Sequence, residues 1–387
     1  MTRPTLLVFL LLAVGCQPEP FAPPPPAPPV VPTGPAAAPV IGSTGWMTGV
    51  PTPTGFASSN ATAISNTNLV AGYSSDRLGF GQAAWAVRWK PTVLGPGQML
   101  PNWSGLVRLN PMSKRVATAA ALGAFDDYVV GWSTDDQGNH VPVFWRYPDA
   151  TPIPLPMAGW SSGEATAVGA GPVIVGWVRS SSGSKRAFRY RPGTAVLDLL
   201  KLSGSSVANG ISEDGKSVTG CVTAPPGPGM AVTSAFVDGP ISFLAPSPLV
   251  TQVNNSCGLA VNNTGTMGGY FEYVDASGAW FDVGTFATTA GWAGPLFFDR
   301  SINPFDRIAV RVQAITTGGR TVGWVDTSWY PEEFGTTGGQ YAWIAAGYDP
   351  KLLPRFGSGS AAANAITDTC LAVGYSDSAA VLWGNYC

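Results

Sequence analysis

His140 is the only histidine in 387 residues. A Ser-His-Asp relay would have to pass through it. The stretch GWSSG (159–163) fits the G-x-S-x-G pattern, which sets a nucleophilic serine on a sharp strand-to-helix turn. Here it lies in a Gly/Ser loop and no helical pattern follows. The serine reads as a loop residue and His140 as a strand-edge residue. Zinc needs sets of His and Cys ligands, and one His with pairing cysteines cannot supply them. DDQGN (135–139) lacks the alternating acids of a calcium loop. Asp126-Asp127 reads as a solvated turn. No catalytic residue, metal or cofactor is expected from these patterns.

Carboxylates beside aromatic rings make a different kind of site. Glu272, Asp282, Glu332 and Glu333 lie in two stretches, 271–292 and 325–340, that also carry Phe271, Tyr273, Trp280, Phe281, Trp292, Trp329, Tyr330 and Phe334. A pair of carboxylates is what glycoside hydrolysis requires. Ring faces cover the apolar side of a pyranose while carboxylates take its hydroxyls. Ligand binding is therefore expected at Tyr273, Trp280, Trp292, Trp329, Tyr330, Glu332 and Glu333. The plainer alternative is that these side chains pack on one another as a lid.

Something must hold two such stretches together. Charged residues are 11% of the chain, with 48 Gly, 36 Pro and 14 Trp. That mixture favours short strands and turns over helices. The formal charge of −2 and the lack of basic stripes argue against a nucleic-acid partner. ATAISNTNLVAGYS (61–74) recurs as ANAITDTCLAVGYS (363–376) with eight of fourteen positions identical. Five weaker versions lie between them. Each runs from small and apolar residues through a polar turn to an apolar pair and a Gly. The closing glycines are Gly72, Gly131, Gly176, Gly220, Gly269, Gly323 and Gly374, spaced 59, 45, 44, 49, 54 and 51 residues apart. The next residue is Tyr73, Trp132, Trp177, Cys221, Tyr270, Trp324 and Tyr375, aromatic in six of seven. A small-then-large apolar pair follows: Ala86-Val87, Pro142-Val143, Ala187-Phe188, Ala235-Phe236, Pro295-Leu296, Ala342-Trp343 and Ala380-Val381.

Each unit reads as four short strands. One four-stranded sheet cannot bury both its faces, and repetition solves that by stacking sheets. The period fits an all-β, seven-bladed β-propeller of four-stranded blades; a solenoid and tandem sandwiches are the alternatives. The last unit ends at AAVLWGNYC, right after its third strand, while GWMTGVPTP (45–53) precedes the first unit without a unit of its own. Residues 45–53 are expected to pair with the strand ending at Trp383 and close the ring, removing the exposed edges. Two insertions of neighbouring units five and six would then share one face.

RAFRY (186–190) and ANAITDTCLAVGYS resemble the HAF-repeat units of bacterial extracellular proteins, over roughly residues 55–387. The histidine of that motif is replaced in every copy, by Trp85, Val141, Arg186, Ser234, Gly294, Tyr341 and Ala379. The resemblance implies a secreted repeat fold and no particular activity.

The first 15 residues carry Arg3 and the apolar run LLVFLLLAVG, too short to span a membrane. They end at Cys16 and resemble a bacterial lipoprotein signal; an ordinary secretory signal with an incidental Cys is the alternative. Residues 17–39 hold 11 prolines. At about 3.1 Å per residue such a polyproline spacer reaches roughly 70 Å. The expected domains are a signal at 1–15, a lipidated Cys16 with its spacer at 16–40, and the propeller at 41–387. In an exported chain the other four cysteines favour disulfides. Repeat position pairs Cys221, on the second strand of unit four, with Cys257, before the first strand of unit five, and Cys370 with Cys387, both in unit seven.

Together these readings imply a monomeric, non-catalytic binding or scaffold protein. It would be held by a lipid at Cys16 in a bacterial envelope, sorting to the outer membrane being indicated by Gln17, with a glycan or an envelope protein as partner. The alternative is a glycan-acting enzyme using the carboxylates of units five and six.

Overall fold

The computed structural model describes residues 45–76, 82–95, 98–223, 233–238, 242–243, 253–274, 280–288, 291–295, 309–326, 328, 339–346 and 349–386. Among these there are 28 strands and no helix. The chain opens with β1 (Trp46–Gly49). Unit one is β2 (Ser58–Ile64), β3 (Leu69–Ser75), β4 (Ala83–Gly95) and β5 (Gln98–Arg108). Unit two is β6 (Ala119–Phe125), β7 (Tyr128–Thr134), β8 (His140–Arg146) and β9 (Ile153–Pro154). Unit three is β10 (Ser162–Gly169), β11 (Val173–Arg179), β12 (Lys185–Tyr190) and β13 (Asp198–Leu199). Unit four is β14 (Ser205–Ile211), β15 (Val218–Thr223), β16 (Thr233–Asp238) and β17 (Ser242–Phe243). Unit five is β18 (Val253–Val261), β19 (Met267–Val274), β20 (Trp280–Thr288) and β21 (Gly291–Pro295). Unit six is β22 (Ala309–Ile315), β23 (Arg320–Asp326), β24 (Gln340–Ala346) and β25 (Asp349–Leu352). Unit seven supplies β26 (Ala361–Ile366), β27 (Leu371–Ser376) and β28 (Ala379–Gly384).

The fourth strand of unit seven is β1, in the order β1-β28-β27-β26. Met47 lies opposite Trp383 and Trp46 opposite Gly384. The N-terminal strand thus pairs where its place along the repeat puts it. Every unit is a four-stranded antiparallel sheet; units four and five are joined by a single parallel pair, Thr233 with Asn255.

The sheets bury both faces, which explains why inner strands such as β11 lack alternation. β11 reads Val-Ile-Val-Gly-Trp-Val-Arg and buries its first six residues. Apolar clusters lie between successive sheets. Ala71 and Ala86 of unit one meet Ala119 and Val143 of unit two. Val130 and Phe144 of unit two meet Ile174 and Phe188 of unit three. Val175 of unit three meets Val218 and Phe236 of unit four. Val322 and Ile344 of unit six meet Met47 and Val381 of unit seven. Ala61 and Trp85 of unit one meet Val373 and Leu382 of unit seven.

One backbone device recurs in all seven units. The first strand bulges between Ala61 and Ala63, Ala121 and Gly123, Ala165 and Ala167, Ala208 and Gly210, Gly258 and Ala260, Val312 and Ala314, and Ala363 and Ala365. Each bulge lies beside the closing glycine of the second strand. A Cβ on those seven glycines would sit 1.8–2.1 Å from a first-strand carbonyl oxygen. The glycine is therefore required by close backbone approach within the sheet.

The bulge also aims a side chain at the next unit. Thr62 Oγ1 donates to the Ala121 carbonyl at 2.8 Å, and Thr166 Oγ1 to Ala208 at 2.7 Å. Asn209 Nδ2 donates to Gly258 at 2.9 Å, and Asn364 Nδ2 to Ala61 at 2.9 Å. Each acceptor holds the same place in its own unit. Unit seven therefore addresses unit one as unit one addresses unit two.

The turns joining first and second strands also meet. Glu213 of unit four takes hydrogen bonds from Asn66 of unit one and from Thr317 of unit six, the latter at 3.4 Å. Asn263 of unit five donates to Thr317, and Thr317 N–H donates to Asp368 of unit seven. Asp368 N–H in turn donates to Asn66.

Three details differ from the sequence reading. The third-strand pair of unit one is Ala84-Trp85, not Ala86-Val87, because Gly72 faces Trp85. In unit five Gly269 faces Thr285, so the pair is Gly284-Thr285 and Pro295 belongs to the fourth strand. Much of the stretch 271–292 is consequently strand, the ends of β19 and β20, instead of an inserted loop; its alternation Trp-Phe-Asp-Val-Gly-Thr-Phe-Ala-Thr suits a third strand. Cys257 stands within β18, not before it.

Candidate functional site

The residue after each closing glycine faces a fixed partner on its own first strand. The partners are Asn60, Ala120, Glu164, Val207, Cys257, Arg311 and Ala362. On the third strand it faces a small residue, for example Ala187 opposite Trp177 and Pro142 opposite Trp132. A bulky ring beside a small residue leaves room for a side chain from the next unit. Glu164 and Arg311 stand in this layer, with Arg179 and Lys185 next to it.

Between units two and three, Trp132 stacks on His140 with ring centroids 3.8 Å apart and planes 5° from parallel. His140 Nδ1 lies 2.9 Å from Glu164 Oε1. Glu164 is buried and His140 half-exposed. Further along unit three, the Lys185 ammonium lies 4.0 Å from the centre of the Trp177 ring and the Arg179 guanidinium 5.5 Å from it. Burial, and then the neighbouring Arg179 charge, pull the Lys185 amine down to about 8, while Glu164 works against both.

The same layer carries other chemistry elsewhere. Arg311 of unit six lies 4.2 Å from the Tyr270 ring of unit five and 5.4 Å from its own Trp324. Between units four and five the place is taken by the disulfide Cys221–Cys257, with Asn209 Nδ2 3.1 Å from Cys257 Sγ. A covalent link stands there instead of an aromatic contact. Between units seven and one, Asn364 Nδ2 donates to Asn60 Oδ1 and Asn60 Nδ2 donates to the Tyr73 hydroxyl. The Tyr375 hydroxyl donates to Gln340. Burial first, and then the nearby Tyr73, push Tyr375 up to about 12. Burial also raises Tyr73, with the Asn60 hydrogen bond opposing it.

Of the residues expected from sequence to bind a ligand, Tyr273 lies near the end of β19, Trp280 at the start of β20 and Trp292 on β21. Their side chains, and Trp329, Tyr330, Glu332 and Glu333 entirely, lie outside the described residues. Cys16 and Cys387 lie outside them as well. Cys370 is disulfide-bonded. His140 is a strand-edge residue as expected, at the start of β8, and it also joins unit two to Glu164 of unit three. GWSSG runs from a loop into β10, with Gly159 at φ 84°. Asp135 caps its own turn, accepting from Gln137 and Asn139 backbone N–H groups. Among the described residues no group of three or more His, Cys, Asp or Glu could hold a metal ion.

Sequence reasoning passed over Glu164, Arg179, Lys185 and Arg311. Glu164 and Arg311 stand across the sheet from the residue after a closing glycine, Arg179 two residues beyond it and Lys185 opposite Arg179, places that strand register fixes and spacing along one strand does not.

No family model matches the chain, and no curated protein does. Among solved structures, the chain is similar to a mutant of AofleA from Arthrobotrys oligospora at 9% identity and a TM-score of 0.34, over 77% of this chain and 87% of that one.

Proposed function

We propose that this is a seven-bladed β-propeller, closed by its N-terminal strand, that works as a non-catalytic glycan-binding protein of a bacterial cell envelope. Closure is supported by the pairing of β1 with β28 and by the bulge hydrogen bond from Asn364 to Ala61, the counterpart of those between units one and two. Residence in an oxidising compartment is supported by the disulfide Cys221–Cys257. Cys16 would carry the lipid, the proline-rich segment would act as spacer, and the repeats would be degenerate relatives of the HAF type.

The observation that carries the binding reading is the layer beyond the closing glycines. Six of its seven positions are aromatic, and five of those six rings are only half-buried. Glu164, Lys185 and Arg311 stand among them, and His140 beside them. Accessible ring edges interleaved with hydrogen-bonding and charged groups suit a saccharide, which presents apolar ring faces and hydroxyls together. The aromatic stretches of units five and six would extend the same surface.

A glycan array probed with the full chain in detergent tests this. Binding to a restricted set of glycans, weakened by Trp132→Ala, is the expected result. Uniform silence across the array would remove the glycan reading. Labelled palmitate entering the wild type and not Cys16→Ser checks the anchor separately.

A further inference from the structure

We propose that Arg179 and Lys185, on the Trp177 face of unit three, form an anion-binding subsite that takes the carboxylate or sulfate group of an acidic saccharide. This rests on the glycan-binding reading above and adds to it the charge of the sugar.

Strand register builds the subsite. Arg179 on β11 is paired with Lys185 on β12, and Trp177 with Ala187, so Trp177, Arg179 and Lys185 share one face of the sheet. That face is turned toward unit four: the Ser205 and Ser206 hydroxyls of β14 accept the N–H groups of Lys185 and Ala187. Lys185 is only 5% exposed. Among the described residues its ammonium makes no hydrogen bond or ion pair; its partner is the Trp177 ring. The buried Nε of Arg179 has no hydrogen-bond partner either.

A buried ammonium with a second cation beside it and no acid in contact is unusual. A desolvated ammonium is normally paired with a carboxylate. The nearest one, Glu164, is engaged by His140 of β8. A ring face returns part of the lost hydration and no more. The charged groups facing Lys185 are thus Arg179 on β11 and Glu164 on β10, with His140 behind Glu164. The sum is an excess of positive charge with its donors unspent. An incoming anion supplies what is missing: it pairs with Lys185 and the guanidinium, and it draws a proton back onto an amine that burial has pulled down to about 8. Glu164 and His140 remain as hydrogen-bonding groups for hydroxyls, and the Trp177 ring as an apolar wall. A saccharide carrying a carboxylate or sulfate satisfies all of them together; a neutral one leaves the cations as they were.

The test is isothermal titration calorimetry at pH 8 on the full chain in detergent, in two buffers of different ionisation enthalpy. The probes are a galacturonate hexamer and the same hexamer methyl-esterified. The acid form should bind at least about tenfold more tightly than the ester, the effect of one charge-assisted contact. Its binding should take up protons. Lys185→Met, which keeps the apolar stem, should abolish both the preference and the uptake, and Lys185→Arg should keep the preference. Melting curves of each variant report folding independently. Equal binding of acid and ester by the wild type would overturn the subsite and leave the glycan reading standing. A preference that survives Lys185→Met would overturn it too. If neither hexamer binds while inorganic sulfate or hexa-aspartate does, with the same proton uptake, the saccharide assignment is overturned together with the glycan reading.

Discussion

The two ends of the strands treat polar groups in opposite ways. At the turns between first and second strands, Asn66, Glu213, Asn263, Thr317 and Asp368 hydrogen-bond to one another across five units. Each polar atom there is answered by a neighbour. Beyond the closing glycines, on the way to the second turns, Lys185 and Arg179 lie against a ring and lack an acid of their own. Both regions are built by the same repeat, one at the turns of units one, four, five, six and seven, the other on the second and third strands of unit three. One spends its polar side chains on joining units. The other holds charge in a state that a partner would improve. Stability is concentrated in the first and withheld in the second, the pattern expected where binding needs groups left incompletely satisfied.

That contrast can be broken at several levels. Removing β1 should do the most damage, because both regions depend on unit seven meeting unit one. Deletion of residues 17–40 should leave the calorimetric melt unchanged, while deletion through residue 54 should abolish a cooperative melt or cause aggregation. If the two truncations melt alike, β1 does not close the array. Next is the link within the layer. The Cys221–Cys257 bridge spans 36 residues of sequence, so its removal by Cys221→Ala with Cys257→Ala should cost about 3–4 kcal/mol in urea titrations. Gly323→Ala should cost about 3 kcal/mol, since its Cβ would meet the Arg311 carbonyl oxygen at 1.8 Å.

The sharper comparison is of sign. Glu213→Ala should destabilise by about 1 kcal/mol through two lost hydrogen bonds. Lys185→Met should raise the melting temperature at pH 7, although it too removes a charged residue from between units. The pH dependence carries the same information. The folded-state value of Lys185, about 8, lies below its ordinary 10.5, so the unfolded chain binds more protons between them. Its contribution to stability therefore grows as pH rises from 8 to 10.5, and the advantage of Lys185→Met should fade over that window. Two variants that shift the melt in the same direction would erase the distinction between the regions. Tyr375 gives the smallest effect. It titrates near 12 when folded against 10.0 ordinarily, so its contribution is intact below pH 10 and lost as pH rises toward 12. Tyr375→Phe should flatten that alkaline limb.

Much of the architecture could be read from residue order alone. The closing glycines, six of them followed by an aromatic ring, mark seven second strands because backbone approach at the bulge excludes every other residue type. The place of residues 45–53 follows from counting strands per unit, and Cys221 with Cys257 follows from their places in successive units. The third strands of units one and five were misplaced where an alternation could be entered two residues late, or where Gly-Thr stands for the usual apolar pair. The bulge itself was invisible, since the extra residue is Thr, Leu, Asn or Gln with no shared chemistry. For that reason the charged layer was invisible as well. Which side chain reaches the next sheet depends on a shift of one residue, and spacing along one strand does not record it.

β1 is four residues long, an outer strand, and the first described strand of the chain. Any tension applied through the residues before it enters the protein at Trp46 and is carried by four cross-strand pairs to β28. It reaches the seam between the first and last units before any other. The strand that completes the last sheet is therefore also the mechanical fuse of the molecule. A pull on the residues before Trp46 would load that joint first.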